Sequence, residues 1–133
     1  MHLPILRRPI LPAADGTAWA GLTLMAAGML LSFWARAAIG RNWSGAVTLK
    51  QNHELIRHGP YRLVRHPIYT GLILAALGTA VIYLRLSGFA GVIVIAAGLW
   101  YKLQLEERFM LQRFGDEYRQ YRASVPALIP FVL

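Results

Sequence analysis

Residues 16–35, 67–84 and 86–101 carry no charged side chain. No other feature limits the fold so strongly. A helix that crosses a bilayer core needs roughly 17–25 residues. The first two stretches meet that length. The third is short, but its helix can continue into the water-facing residues 102–113. The chain is 56% hydrophobic and 15% charged, with a mean hydropathy of +0.43. These values predict an all-α integral membrane helical bundle in a single domain covering residues 1–133. About three transmembrane helices are expected, at 17–39, 67–85 and 88–105. Ser87-Gly88 gives a tight turn, so helices two and three form a hairpin. Residues 40–66 form a polar loop, and residues 106–133 form a tail with an amphipathic interfacial helix interrupted near Gly115.

The net charge is +8. A nucleic-acid binder would spread such charge over a basic face of a soluble fold. Here the charges sit between apolar spans, which predicts no nucleic-acid partner and fits the positive-inside pattern. Arg36, Arg41, Lys50, Arg57, Arg62 and Arg65 separate spans one and two. Lys102, Arg108, Arg113, Arg119 and Arg122 follow span three. The 36–66 loop and the C-terminus are therefore expected in the cytoplasm. Arg85 lies in the opposite turn, with Arg7 and Arg8 as a minor exception on that side. There is no cysteine, so disulfides, thiolate metal sites and a Cys nucleophile are ruled out.

Each span carries two glycines seven residues apart: Gly21 and Gly28, Gly71 and Gly78, Gly91 and Gly98. Two helical turns separate each pair, which puts it on one face. Close helix packing is expected there. Trp19 and Trp34 suit the two interfaces of helix one.

The polar chemistry concentrates in the run His58-Gly59-Pro60-Tyr61-Arg62-Leu63-Val64-Arg65-His66-Pro67-Ile68-Tyr69-Thr70-Gly71. Pro67 suits the first position of a helix and keeps His66 out of helical conformation. The first turn of that helix, residues 67–70, presents backbone N–H groups to a carboxylate or phosphate. Tyr61 and Tyr69 offer ring faces to an adenine or a cation. Arg62 and Arg65 suit lipid headgroups equally well. Glu106 and Glu107 stand just past the apolar part of helix three, where a carboxylate is costly unless paired or functional. Lys102 lies one turn earlier, in reach of Glu106. The hairpin should bring residues 58–71 and 102–107 to one membrane face. His53 and His58 are five positions apart, about 140° around a helix. They do not form a zinc-protease pair, and no metal site is expected.

Taken together these segments resemble the isoprenylcysteine carboxyl methyltransferase family, in a bacterial integral-membrane form. The matching pieces are Gly40-Arg41-Asn42-Trp43-Ser44, His53-Glu54-Leu55, the run from Gly59 to Gly71, Glu106-Glu107-Arg108-Phe109, Phe114-Gly115-Asp116-Glu117-Tyr118 and Val125-Pro126-Ala127-Leu128-Ile129-Pro130. They span about residues 30–131. Phospholipid N-methyltransferases and some sterol-type reductases share weaker versions. The resemblance implies an enzyme that uses S-adenosyl-L-methionine. By position, Gln51, His58, Gly59, Pro60, Tyr61, His66, Gly71, Leu72, Ile73, Leu74 and Glu106 would line the cofactor pocket. Lys102 falls where the eukaryotic pattern has an Arg that meets the substrate carboxylate. Lys lacks the bidentate grip of Arg. Relatives also carry further membrane helices before this point, which leaves open a minimal form, a longer chain or a homo-oligomer.

The implied reaction is methyl transfer to a lipophilic small molecule or lipidated substrate within membrane lipids, in a bacterial inner membrane. A carboxylate acceptor is already ionised at neutral pH and needs no general base. An amine acceptor would need one, with His58 or His66 as candidates. The alternatives are a phospholipid or amine N-methyltransferase, a membrane reductase using a nicotinamide cofactor, and a non-catalytic oligomeric membrane protein.

Overall fold

The computed structural model describes residues 4–10, 14–40 and 55–132. They form four α-helices, α1 (Asp15–Ile39), α2 (Pro67–Tyr83), α3 (Leu86–Phe114) and α4 (Asp116–Ser124). Two 3₁₀ turns, Pro4–Arg7 and Gly59–Arg62, accompany them. The fold is all-α, as predicted. α1 and α3 are long and apolar enough to cross a membrane, and α2 is a shorter apolar helix of 17 residues.

The third helix continues past its apolar part into the water-facing residues 102–113, and the interruption falls at Gly115. α3 runs unbroken through Glu106 and Glu107 to Phe114. Residues 102–114 contain no glycine or proline and are rich in good helix formers. The helix stops at Gly115, whose φ of +56° suits a residue without a side chain. The amphipathic helix is therefore the short α4.

α2 lies between α1 and α3, and its contact with α1 is the more extensive. Two glycine pairs make that contact. Gly21 faces Gly78, and Gly28 faces Gly71. A Cβ on any of the four would run into backbone of the opposite helix. The predicted packing role holds for these two pairs. Around Gly91 and Gly98 no described residue lies within reach of a Cβ. Gly28→Val is expected to cost about 1–3 kcal/mol through overpacking. Gly98→Val should leave the melting temperature in detergent nearly unchanged, and equal losses in both would refute this assignment.

At the far end, Leu84 closes α2 with φ +44° and ψ +43°. The Ile10 N–H donates to the Leu84 carbonyl at 2.7 Å, and Pro9 bridges to Arg85. Arg85 thus shares an end with the N-terminal turn. At the opposite end a buried cluster of Tyr69, Leu103, Ala127 and Leu128 joins α2, α3 and the C-terminal segment. The segment after α4 folds back on the start of α2. The Arg65 and His66 N–H groups donate to the Pro126 and Ala127 carbonyls at 2.8 and 3.0 Å, and the Thr70 hydroxyl donates to the Leu128 carbonyl at 2.7 Å. Irregular backbone at an apolar boundary needs such partners.

Candidate functional site

His66 organises the site. The proline after it holds it at φ −126° and ψ +61°, outside the helical region. Its ring stacks on Tyr69, with centroids 5.6 Å apart and planes 4° apart. Its two nitrogens face the two carboxylates of α3. Nε2 lies 3.2 Å from Glu107 Oε1, and Nδ1 lies 3.7 Å from Glu106 Oε2. Successive residues on a helix point about 100° apart, so one imidazole between them separates two environments.

Glu106 occupies the more open one. The Tyr69 hydroxyl donates to its Oε1 at 2.6 Å. Lys102 Nζ stands 3.7 Å from the same oxygen, one helical turn away, and 5.4 Å from the centre of the Tyr69 ring. Carboxylate, ammonium, phenol and imidazole therefore meet where the apolar parts of α2 and α3 end. The expectation that the hairpin joins residues 58–71 to residues 102–107 is met.

Glu107 is 3% exposed. Arg65 donates to its Oε1 from Nε at 2.8 Å, with Nη2 at 2.7 Å, and the Tyr118 hydroxyl donates at 3.3 Å. Burial alone would raise the pKa of Glu107. Hydrogen bonds from His66 and Arg65, with the Arg65 charge, outweigh burial and lower it to about 2. Arg65 also donates from Nη1 to the carbonyls of Arg122 at 3.1 Å and Val125 at 2.5 Å. Arg65 is thus a buried brace for the C-terminal segment, a role its sequence position beside Arg62 does not reveal. Arg62 is exposed and keeps its headgroup reading.

The remaining expected residues are spread more widely. Pro60 and Tyr61 are buried, and the Tyr61 carbonyl accepts a bond from the Tyr121 hydroxyl at 2.6 Å. Burial, with the Glu106 charge second, pushes the Tyr61 phenol up to about 12. Gly59, at φ +62°, faces Trp34 and Ala38 of α1, and His58 is exposed. Gly71, Leu72, Ile73 and Leu74 complete a turn of α2, so they point in different directions. Gly71 packs on Gly28 and Ser32, Leu72 is exposed, Ile73 lies against the buried cluster and Leu74 is half-buried. Of the helix N–H groups expected for an anion, Pro67 has none and that of Thr70 donates to the His66 carbonyl at 3.1 Å. The expected Gln51, and His53 with it, lie outside the described residues. His66, Glu106 and Lys102 are the expected residues brought together directly. Tyr69, Glu107 and Arg65 join them. Their signal in the sequence was the Arg-His-Pro-x-Tyr spacing against a double Glu.

Residues 17–117 match the family model described as phospholipid methyltransferase. The chain is 33% identical over 117 residues to a probable protein-S-isoprenylcysteine O-methyltransferase of Oryza sativa subsp. indica, covering 86% of this chain and 61% of that protein. It is 44% identical over 71 residues to methanethiol S-methyltransferase 1 of Bradyrhizobium diazoefficiens, covering 53% of this chain and 24% of the other. Its structure resembles the eukaryotic intramembrane Ras methyltransferase, isoprenylcysteine carboxyl methyltransferase, with a TM-score of 0.82 at 27% identity. That likeness covers 90% of this chain and 44% of the other. The chain spans about three fifths of the length of its rice relative. The resemblance to the isoprenylcysteine carboxyl methyltransferase family is borne out.

Proposed function

Because the chain belongs to the phospholipid methyltransferase family, we propose that it is an S-adenosylmethionine-dependent methyltransferase acting on a lipophilic acceptor at the membrane. The acceptor class we favour is a carboxylate, isoprenylcysteine-like or of another lipid. One observation carries this reading: His66, Tyr69, Lys102 and Glu106 form a single polar cluster where the apolar parts of α2 and α3 end.

The residues present suit the cofactor. It carries an ammonium group and ribose hydroxyls, and Glu106 is a partly exposed carboxylate that would hold either. The turn from His58 to Tyr61, with His66, would complete the cofactor side. When bound, S-adenosylmethionine supplies a methyl group on a sulfonium, ready for displacement by a nucleophile. The protein then has to align the acceptor and keep water out. Lys102 would draw an anionic acceptor to the cluster. His66 is poorly placed as a general base, because both ring nitrogens face carboxylates. An acceptor that arrives already ionised needs no base, whereas an ammonium acceptor would. That is the reason for preferring a carboxylate to an amine.

The same reading puts the chain in a bacterial inner membrane with residues 36–66 and the C-terminus in the cytoplasm. The clustering of Arg and Lys at the His66 end supports it. As a test, S-adenosylmethionine should raise the melting temperature of the detergent-solubilised chain, and NADPH should not. Methyl label from the cofactor should enter a lipid extract. A shift with NADPH alone would favour the reductase, and no shift with no labelling would defeat the proposal.

A further inference from the structure

A second polar feature lies outside the His66 cluster. A cleft of about 440 Å³ opens between the Gly59–Arg62 turn and α4, lined by Arg57, Arg62, Gln120, Tyr121, Ser124 and Val125. Its volume falls in the range of small-ligand sites. None of these residues belongs to the His66–Tyr69–Lys102–Glu106 cluster.

The floor of the cleft is fixed. Tyr121 is buried, its hydroxyl donates to the Tyr61 carbonyl at 2.6 Å, and its ring meets Tyr118 edge to face. The Ser124 hydroxyl stands 3.1 Å from the carbonyls of both Gln120 and Tyr121. The rim is cationic. Arg57 pairs with Glu117 at 2.9 Å, but both side chains are about half exposed, so the pair is weak and leaves further guanidinium donors. Arg62 is exposed and makes no ion pair among the described residues. Guanidinium forks match phosphate geometry.

The position of the cleft selects the kind of anion. The Gly59–Arg62 turn rests on α1, where Gly59 faces Trp34 and Ala38. Trp34 and Leu63 are both exposed large apolar side chains. An exposed tryptophan near the end of an apolar helix marks the headgroup level of a bilayer. We propose that this cleft seats the phosphate of an anionic phospholipid, separately from the candidate methyl-transfer site.

The test uses the full chain purified in neutral detergent. Native mass spectrometry counts retained phosphatidylglycerol against phosphatidylcholine. The unaltered chain should prefer phosphatidylglycerol. The double variant Arg57→Gln with Arg62→Gln should lose that preference, by about five-fold or more for each arginine. Glu117→Gln, which releases Arg57, should increase retention. The charge-matched pair Arg113→Gln with Arg119→Gln lies outside the cleft and should retain the preference. An equal loss in that pair would reduce the effect to diffuse attraction and overturn the site, as would full retention in the cleft variant. Inorganic phosphate at millimolar concentration should not displace the lipid, and displacement would overturn the lipid assignment. If the double variant melts markedly lower, Arg62→Gln alone serves as the test, since that side chain has no ion-pair partner to lose among the described residues.

Discussion

Replacing Glu107 with alanine is expected to destabilise the chain by about 3–5 kcal/mol, the cost of stranding a buried partner charge. The Arg65 side chain is 9% exposed and has its Nε and Nη2 on Glu107. Without that carboxylate its charge would remain buried, held by the backbone carbonyls of Arg122 and Val125. The C-terminal segment should loosen with it, because Arg65 also holds the Arg122 and Val125 carbonyls. Glu107→Gln keeps the shape and one acceptor, so its loss should be smaller. The pH dependence follows from the same contact. The folded carboxyl titrates at about 2, against an ordinary 4.5. The folded state therefore binds this proton less readily than the unfolded chain. Its stabilising contribution is complete above pH 4.5 and is lost as pH falls through 2. Denaturation of the solubilised chain should show that fall, and the fall should be smaller in Glu107→Gln. A Glu107→Ala variant within about 0.5 kcal/mol of the parent, the ordinary size of a surface effect, would show that the brace contributes little.

What the sequence made legible follows from the length scale of each signal. The helices could be read because charge is excluded over whole bilayer-length stretches. The start of α2 could be read because proline acts on its immediate neighbour. The pairing of residues 58–71 with 102–107 could be read because a short turn forces an antiparallel return. The glycine spacing found the α1–α2 contact but gave the same signal at Gly91 and Gly98, which no described helix meets. Periodicity describes a face and says nothing about what covers it. The role of Arg65 was hidden for a related reason. Arg62 and Arg65 look alike in sequence, and only the return of residues 125–128 buries one while leaving the other outside. Likewise the double Glu announced a costly pair of charges, but the division between them depends on where one imidazole sits.

That division predicts separable losses in binding. Glu106→Gln should weaken S-adenosylmethionine binding about 10–100-fold, the equivalent of one charge-assisted hydrogen bond. Its stability should change little, since the carboxylate is only partly buried and its lysine partner is about one third exposed. Lys102→Met should leave cofactor affinity within about two-fold, because an i,i+4 ion pair on a helix is worth only a few tenths of a kcal/mol. It should instead raise the KM of a carboxylate acceptor, with kcat less affected. Lys102→Arg restores the charge and adds a bidentate grip, so it should rescue or improve that KM. An amine acceptor would respond in the opposite sense to removing the positive charge. Calorimetric titration of the cofactor and initial rates against acceptor concentration would separate the two roles. If Lys102→Met weakens cofactor binding as much as Glu106→Gln does, the lysine belongs to the cofactor side. The cluster at His66 would then hold one ligand rather than bring two together.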